Sequence, residues 1–347
     1  DVQKYFKKLQ DCRNWIAEAR FQDEHGGIYA MQDMTVNAWA EYWLENIKKP
    51  NVKLQTYNGY REKLNLYILP VIGRMLLGEV SPIHCQDILN RMEAKNLSSS
   101  SIALARIVMA MLFRDAVDSE MIIRSPVKRS VRSKGIPREE KTVLSREQQK
   151  NFLKYAESTR YYNQFALILQ TGLRCAELNG LKWEDINFEK RTVHVQRNLN
   201  YINKNGTYKW EPGPPKTSSG NRIIPLTDEA VKILLDQKEK CRAHKLVNMD
   251  FAGYVFMNSK AKPITNKEYN IALERISVKA RIVNHITMHC LRHTFATRCA
   301  ESGVSPKTLQ YVLGHSDIKV TMELYVHATQ EKIKEDFSLL GKTKNVV

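Results

Sequence analysis

The chain has 347 residues, 43% of them hydrophobic, and carries 54 Lys and Arg against 37 Asp and Glu, a formal net charge of +17. That length allows two domains and a small third, and no run of about 18 apolar residues is present to span a membrane. The excess of positive charge predicts a polyanionic partner, nucleic acid first, bound by counterion release and weakened by salt.

In chain order, residues 1–30 begin with an amphipathic helix in which Tyr5, Leu9, Ile16 and Phe21 recur at helical spacing, broken at His25, Gly26 and Gly27. The segment starts at Asp1, is too polar for a secretory signal, and reads as a connector from a longer protein. Residues 31–126 predict a small helical bundle. Thr35 caps a helix carrying Val36, Trp39, Tyr42 and Trp43, and a second helix runs from Thr56 to Leu69, ending before Pro70. Ser81–Pro82 opens a third, and Ser98–Ser101 leads into Ile102, Leu104, Ile107, Val108 and Leu112. Residues 127–141 read as a linker whose Lys128, Arg129, Arg132, Lys134 and Arg138 suit either solvent or a DNA backbone.

The segment 142–347 is mixed. Ser145 and Gln148 form a capping box, and helices are predicted over 145–157, 162–171 and 174–182. Strands are expected at 191–196, 208–210 and 222–225, helices near 227–245 and 266–282, and four short helices between His289 and Leu340. The fold class is mainly α with a small antiparallel sheet.

Several residues in this segment have chemical capacity, though Arg174, Lys216 and Tyr325, each taken alone, read more readily as ordinary surface or core residues. Arg174, after Thr171–Gly172–Leu173, opens a helix where free N–H groups and a guanidinium suit a phosphate. His289 and Arg292 share a helix face. His289 and His293 also stand at zinc-ligand spacing, but Cys290 occupies the place where the HExxH motif needs Glu, so phosphate is favoured and no metal is assigned. The six scattered cysteines contain no CxxC pair and read as reduced thiols of a cytoplasmic protein. Lys216 sits in a Pro- and Gly-framed loop, PPKTSSGNR, from which it could reach a groove. LGHSDIKVTMELY holds His315, Asp317, Thr321 and Tyr325. A phenol is a poor nucleophile at neutral pH unless nearby cations ionise it, and the two arginines offer that charge.

TGLRCAELNGLKW, PPKTSSGNR, HCLRHTFAT and LGHSDIKVTMELY stand in the order and approximate spacing of the tyrosine recombinases, the phage-type integrases. The resemblance covers residues 31–347 and is nearest to integrases of Gram-positive conjugative transposons. It implies a C-shaped clamp: a helical core-binding domain (31–126), the basic linker (127–141), a catalytic domain (142–329) and a C-terminal exchange helix (330–347). It also implies that Tyr325 attacks the scissile phosphate of DNA to leave a 3′-phosphotyrosine. Arg174 and Arg292 would then hold the non-bridging oxygens, Lys216 act as general acid, His289 assist proton transfer, His315 hydrogen-bond the phosphate, and Glu177 orient its partners. Neither metal, ATP nor any other cofactor is implied. The implied partners are double-stranded DNA, a tetrameric synapse of this chain and a DNA-bending accessory protein, in a bacterial cytoplasm. The rivals are a type IB topoisomerase, which acts on one duplex, a catalytically idle DNA-binding regulator, and a zinc hydrolase.

Two local features add to this. NLNYINKNGTYKWEPGP (198–214) is long for a turn and predicts an inserted β-hairpin, with Tyr208 and Trp210 placed to touch DNA or a neighbouring protomer. Ile333, Phe337 and Leu340 form an apolar stripe on a last helix too short to stand alone.

Overall fold

The computed structural model describes residues 34–136, 142–204, 206–215, 218–243, 248–323 and 325. The sequence readings for residues 1–30, Arg138, Lys216 and 330–347 lie outside these. The chain divides into two units, residues 1–139 and 140–347.

Among the described residues, the regular elements of the first unit are helical. Thr35 accepts a hydrogen bond from Ala38 N–H and starts α1 (Val36–Tyr42), which continues as a π turn over Trp43–Lys48. Helix α2 (Leu54–Lys63) passes into a second π turn at Leu64–Ile68 and then α3 (Leu69–Ile72). The helix therefore does not stop before Pro70, as its sequence suggests. The N–H of Leu69 donates five residues back, to Leu64 O, and this wider turn places Pro70 in the first turn of α3, where a missing N–H costs nothing. Helices α4 (Pro82–Ala94) and α5 (Ser99–Asp118) complete the bundle. Its core is built around Trp39 and Trp43, and both indole N–H groups have partners. Trp39 donates to Leu112 O at 3.0 Å, and Trp43 to Asp115 Oδ2 at 2.7 Å, a carboxylate that also meets Lys48 at 2.6 Å.

Residues 127–136 of the basic segment run against this unit. Arg106 on α5 donates to Val131 O (2.7 Å) and Lys128 O (3.2 Å). Gln86 on α4 holds both the N–H and the carbonyl of Arg132 (2.9 and 2.7 Å). Val131 is buried, and Ile136 pairs with Ser98. The backbone is pinned while the side chains of Lys128, Arg129, Arg132 and Lys134 stay exposed.

The second unit packs helices around an aromatic cluster of Phe152, Tyr161, Phe165 and Tyr269. Ser145 makes the expected capping box at the start of α6 (Arg146–Ala156), followed by α7 (Tyr162–Thr171) and the short α8 (Cys175–Asn179). Helix α8 ends at Gly180, where a Cβ would lie 2.8 Å from Arg197 O, so the helix expected over 174–182 is cut short by the chain crossing it. A three-stranded antiparallel sheet follows, in the order β1 (Ile186–Asn187), β2 (Thr192–Val195), β5 (Arg222–Pro225). Between β2 and β5 stands a separate hairpin, β3 (Asn198–Lys204) against β4 (Thr207–Gly213), in register from Asn198↔Gly213 to Lys204↔Thr207. This is the insertion expected from its length. On one face Tyr201 stacks against Tyr208 (centroids 5.2 Å) and Trp210 (5.0 Å). Then come α9 (Asp228–Ala243), α10 (Asn266–Lys279), α11 (Met288–Glu301) and α12 (Pro306–Leu313), with helical residues at 318–323 and 325.

Trp43→Phe keeps an aromatic ring, though a smaller one, and leaves Asp115 without its indole donor. We expect a loss of about 1–3 kcal/mol, read as a lower urea midpoint for the helical unit's transition.

Candidate active site

Three arginines from three separate elements meet at the end of α12. Arg174 stands at the N-cap of α8, held there because Gly172 adopts φ 64° and closes α7. A Cβ at Gly172 would strike the Phe295 ring at 2.5 Å, so glycine is required by space as well as by φ. Arg292 lies on the inner face of α11 and Arg222 at the start of β5. Their guanidiniums donate to three successive carbonyls: Arg222 Nε to Val312 O (2.6 Å), Arg292 Nη2 to Leu313 O (2.6 Å) and Arg174 Nη2 to Gly314 O (3.0 Å). These are carbonyls at a helix C-terminus, which lack intrahelical partners and carry the negative end of the helix dipole. Arg292 also donates to Gly172 O at 2.7 Å.

Glu177 joins the arginines from below. Its Oε1 accepts from Arg174 Nη1 (2.7 Å) and Arg222 Nη1 (3.1 Å), and its Oε2 from the Arg174 backbone N–H (2.9 Å) and Arg222 Nη2 (3.0 Å), with Arg292 Nη1 at 4.0 Å. Burial works to raise this carboxyl. The hydrogen bonds and charge of Arg222, and then the charge of Arg174, outweigh it and hold Glu177 below the usual carboxylate range. Arg292 is pulled down from its ordinary value by burial and by Arg174, with Glu177 opposing; a guanidinium so bonded remains the cation. Arg174 is the open member: its side chain is 39% exposed, against 3% for Arg292 and 0% for Arg222. A ligand phosphate therefore meets Arg174 first.

His315 follows directly, beyond the left-handed Gly314. Its Nδ1 lies 2.9 Å from the hydroxyl of buried Thr321. Burial, then Arg292, Arg174, Arg222 and His289, push its pKa down to about 3. The imidazole is thus neutral at working pH and its bond to Thr321 sets the tautomer. His289 is exposed on α11, its ring edge-on to His293 with centroids 4.3 Å apart. Among the described residues, no three His, Cys, Asp or Glu are grouped to hold a metal ion.

Tyr325 packs against the buried cluster of Ala296, Leu309 and Leu313, which Phe295, Cys299 and Val304 also cover. Burial and the neighbouring Cys299 thiol push its phenol above the ordinary value. The ionising help of the arginines, expected from sequence, does not govern the resting tyrosine.

The structure thus brings together Arg174, Glu177, Arg292 and His315, with His289 and Tyr325 on elements beside them. Arg222 is the member that sequence reading missed. Its signal was present: β5 alternates buried and exposed, so Arg222 shares the inward face with Ile224, and an inward arginine demands an acid.

The sequence matches the model of the phage integrase family over residues 142–332, and that of the phage integrase N-terminal SAM-like domain over 35–92. The chain belongs to the phage integrase family. It is similar to the transposase of transposon Tn916 from Enterococcus faecalis, 29% identical over 96% of this chain and 85% of that protein. It is also 29% identical to a XerC-like tyrosine recombinase of Caldanaerobacter subterraneus subsp. tengcongensis, over 90% of this chain and 85% of the other. Among solved structures, the Tn1549 transposon integrase in complex with a circular intermediate DNA superposes with TM-score 0.74 at 26% identity, covering 87% of this chain and all of that one. This phage-integrase relative is a tyrosine recombinase of the conjugative-transposon type, an enzyme of site-specific DNA recombination.

Because the His315 pKa in the fold lies far below its ordinary 6.5, folding favours the neutral ring. Its contribution is present above pH 6.5 and lost as pH falls towards 3. The melting temperature of the DNA-free chain should decline through this window, and less steeply in His315→Gln.

Proposed function

We propose that the integrase breaks and rejoins DNA at Tyr325, with the arginine cluster as its phosphate site. The observation that carries this is the meeting of Arg174, Arg292 and His315 at the end of α12, one short helical segment before Tyr325. Arg174 and Arg292 hold the non-bridging oxygens and stabilise the charge that builds on the phosphorane-like transition state. Neutral His315 adds a hydrogen bond to the same phosphate, and Glu177 orients the guanidiniums. The tyrosyl oxygen forms a bond to phosphorus as the bond to the 5′-oxygen breaks. The phenolic proton passes towards His289, and Lys216 gives a proton to the departing 5′-oxygen. Rejoining reverses these steps, and because one phosphodiester is exchanged for another the reaction needs no external energy.

The resting phenol, raised by burial and Cys299, is a neutral and weak nucleophile. Chemistry therefore waits for DNA, whose phosphate draws residues 315–325 onto the arginines. DNA is held in part through its backbone by Lys128, Arg129, Arg132 and Lys134 on the pinned strap, and by Tyr208 and Trp210 on the hairpin. Four protomers join two duplexes at element ends and target, assisted by a DNA-bending protein, for integration and excision.

A nicked suicide duplex from the end of the encoding element should yield a protein–DNA adduct that survives denaturation, forms with EDTA present and vanishes in Tyr325→Phe. No adduct on a duplex that the chain binds would defeat this reading. Lys134→Ala should weaken binding similarly across sequences and lower the slope of log affinity against log salt by about 1, measured by fluorescence anisotropy.

A further inference from the structure

We propose that Arg222 is a positioning residue for the phosphate-binding arginines, acting through Glu177 and the Val312 carbonyl. The inference rests on the phosphate-site reading above. Arg222 touches no solvent: its side chain is 0% exposed, beneath Arg174 and Arg292. It makes four hydrogen bonds, one from Nε to Val312 O at 2.6 Å, two forked onto the Glu177 oxygens at 3.1 and 3.0 Å, and one to Gly220 O at 3.0 Å. One guanidinium thereby ties together three parts of the site: the carboxylate that holds Arg174, the helix end that precedes His315, and the Gly220 carbonyl just ahead of β5.

The geometry assigns it a second effect, on charge. Glu177 faces three cations. With Arg222 occupying both carboxylate oxygens, the negative charge is shared and Arg174 keeps most of its attraction for a ligand. Without Arg222 the carboxylate closes on Arg174 alone, turning its fork away from the open side and neutralising the charge that meets DNA. Lysine cannot substitute, because an ammonium lacks the planar fork that reaches two oxygens and a carbonyl at once. Gly314 supports the tightness of this fit. A Cβ there would stand 2.9 Å from Arg222 Nη1 and 3.0 Å from Ser219 O, so the residue before His315 is kept bare by the arginine beneath it.

The test compares the full chain with Arg222→Lys and Arg222→Gln on the nicked suicide duplex, in two forms: a normal scissile phosphate, and a methylphosphonate in which one charged non-bridging oxygen is a neutral methyl. Binding is read by anisotropy, folding by thermal melting and chemistry by the single-turnover rate of adduct formation. We expect both variants to bind like the parent and to cleave the normal phosphate about 100-fold more slowly. On the methylphosphonate the deficit should shrink, because a misplaced Arg174 has less to lose where the charge is gone. An equal deficit on both substrates would overturn the proposal, as would parental rates, and so would a pair of variants that both fail to fold, since Arg222 would then be a core ion pair. A parent chain that binds but forms no adduct would instead overturn the phosphate-site reading beneath it.

Discussion

A single carboxylate holds this active site together. Three guanidiniums packed within a few ångströms repel one another, and burial strengthens that repulsion by removing water. Glu177 makes the cluster possible, with both oxygens occupied and its side chain 1% exposed. The carbonyls of residues 312–314, with those of Gly172 and Gly220, supply further acceptors. One full negative charge and a helix dipole against three positive charges leave the site strongly electropositive. That residual charge is what a phosphate can exploit. The fold therefore stores an anion site by assembling cations it can only partly neutralise.

The same arrangement contributes to the neutrality of His315, while the tyrosine rests as a phenol for a different reason. Burial first, and then the cationic field that would welcome a phosphate, oppose a second proton on His315, so the imidazole is fixed as a hydrogen-bonding group rather than a charge. Tyr325, packed on Ala296, Leu309 and Leu313 and under the influence of the Cys299 thiol, sits in surroundings that favour the protonated form.

How far the chain could be read without coordinates follows from the range of the interactions involved. Caps and turns are local, so Thr35, Ser145 and the glycine-bounded start at Arg174 were legible, as was the hairpin, whose excess length needs a structure of its own. Pro70 misled because its effect depends on the backbone ahead of it, and a π turn relieved the clash. The anchoring of residues 127–136 was not legible for another reason. The segment's composition shows cations, Gly135 and Pro137, whereas its anchors are Gln86 and Arg106, each tens of residues earlier in the chain. Arg222 is the extreme case: its partners Glu177 and Val312 lie 45 and 90 residues away. Motif spacing reported which residues can meet a phosphate and was silent about what holds them.

That silence has a physical basis. Residues that touch a ligand are drawn from polar types with special chemistry at turns and helix ends, so they stand out in a sequence. A buried arginine in a four-residue strand looks like an interruption of the strand pattern. Yet its desolvation is tolerable only where every donor finds an acceptor and a carboxylate lies opposite. Arg222 satisfies that condition with acceptors from three separate segments, none of which it could have found without the others already in place. The burial of the arginine and the assembly of the site are thus one event. The chain cannot place Arg222 correctly without also bringing Glu177, the end of α12 and Gly220 together.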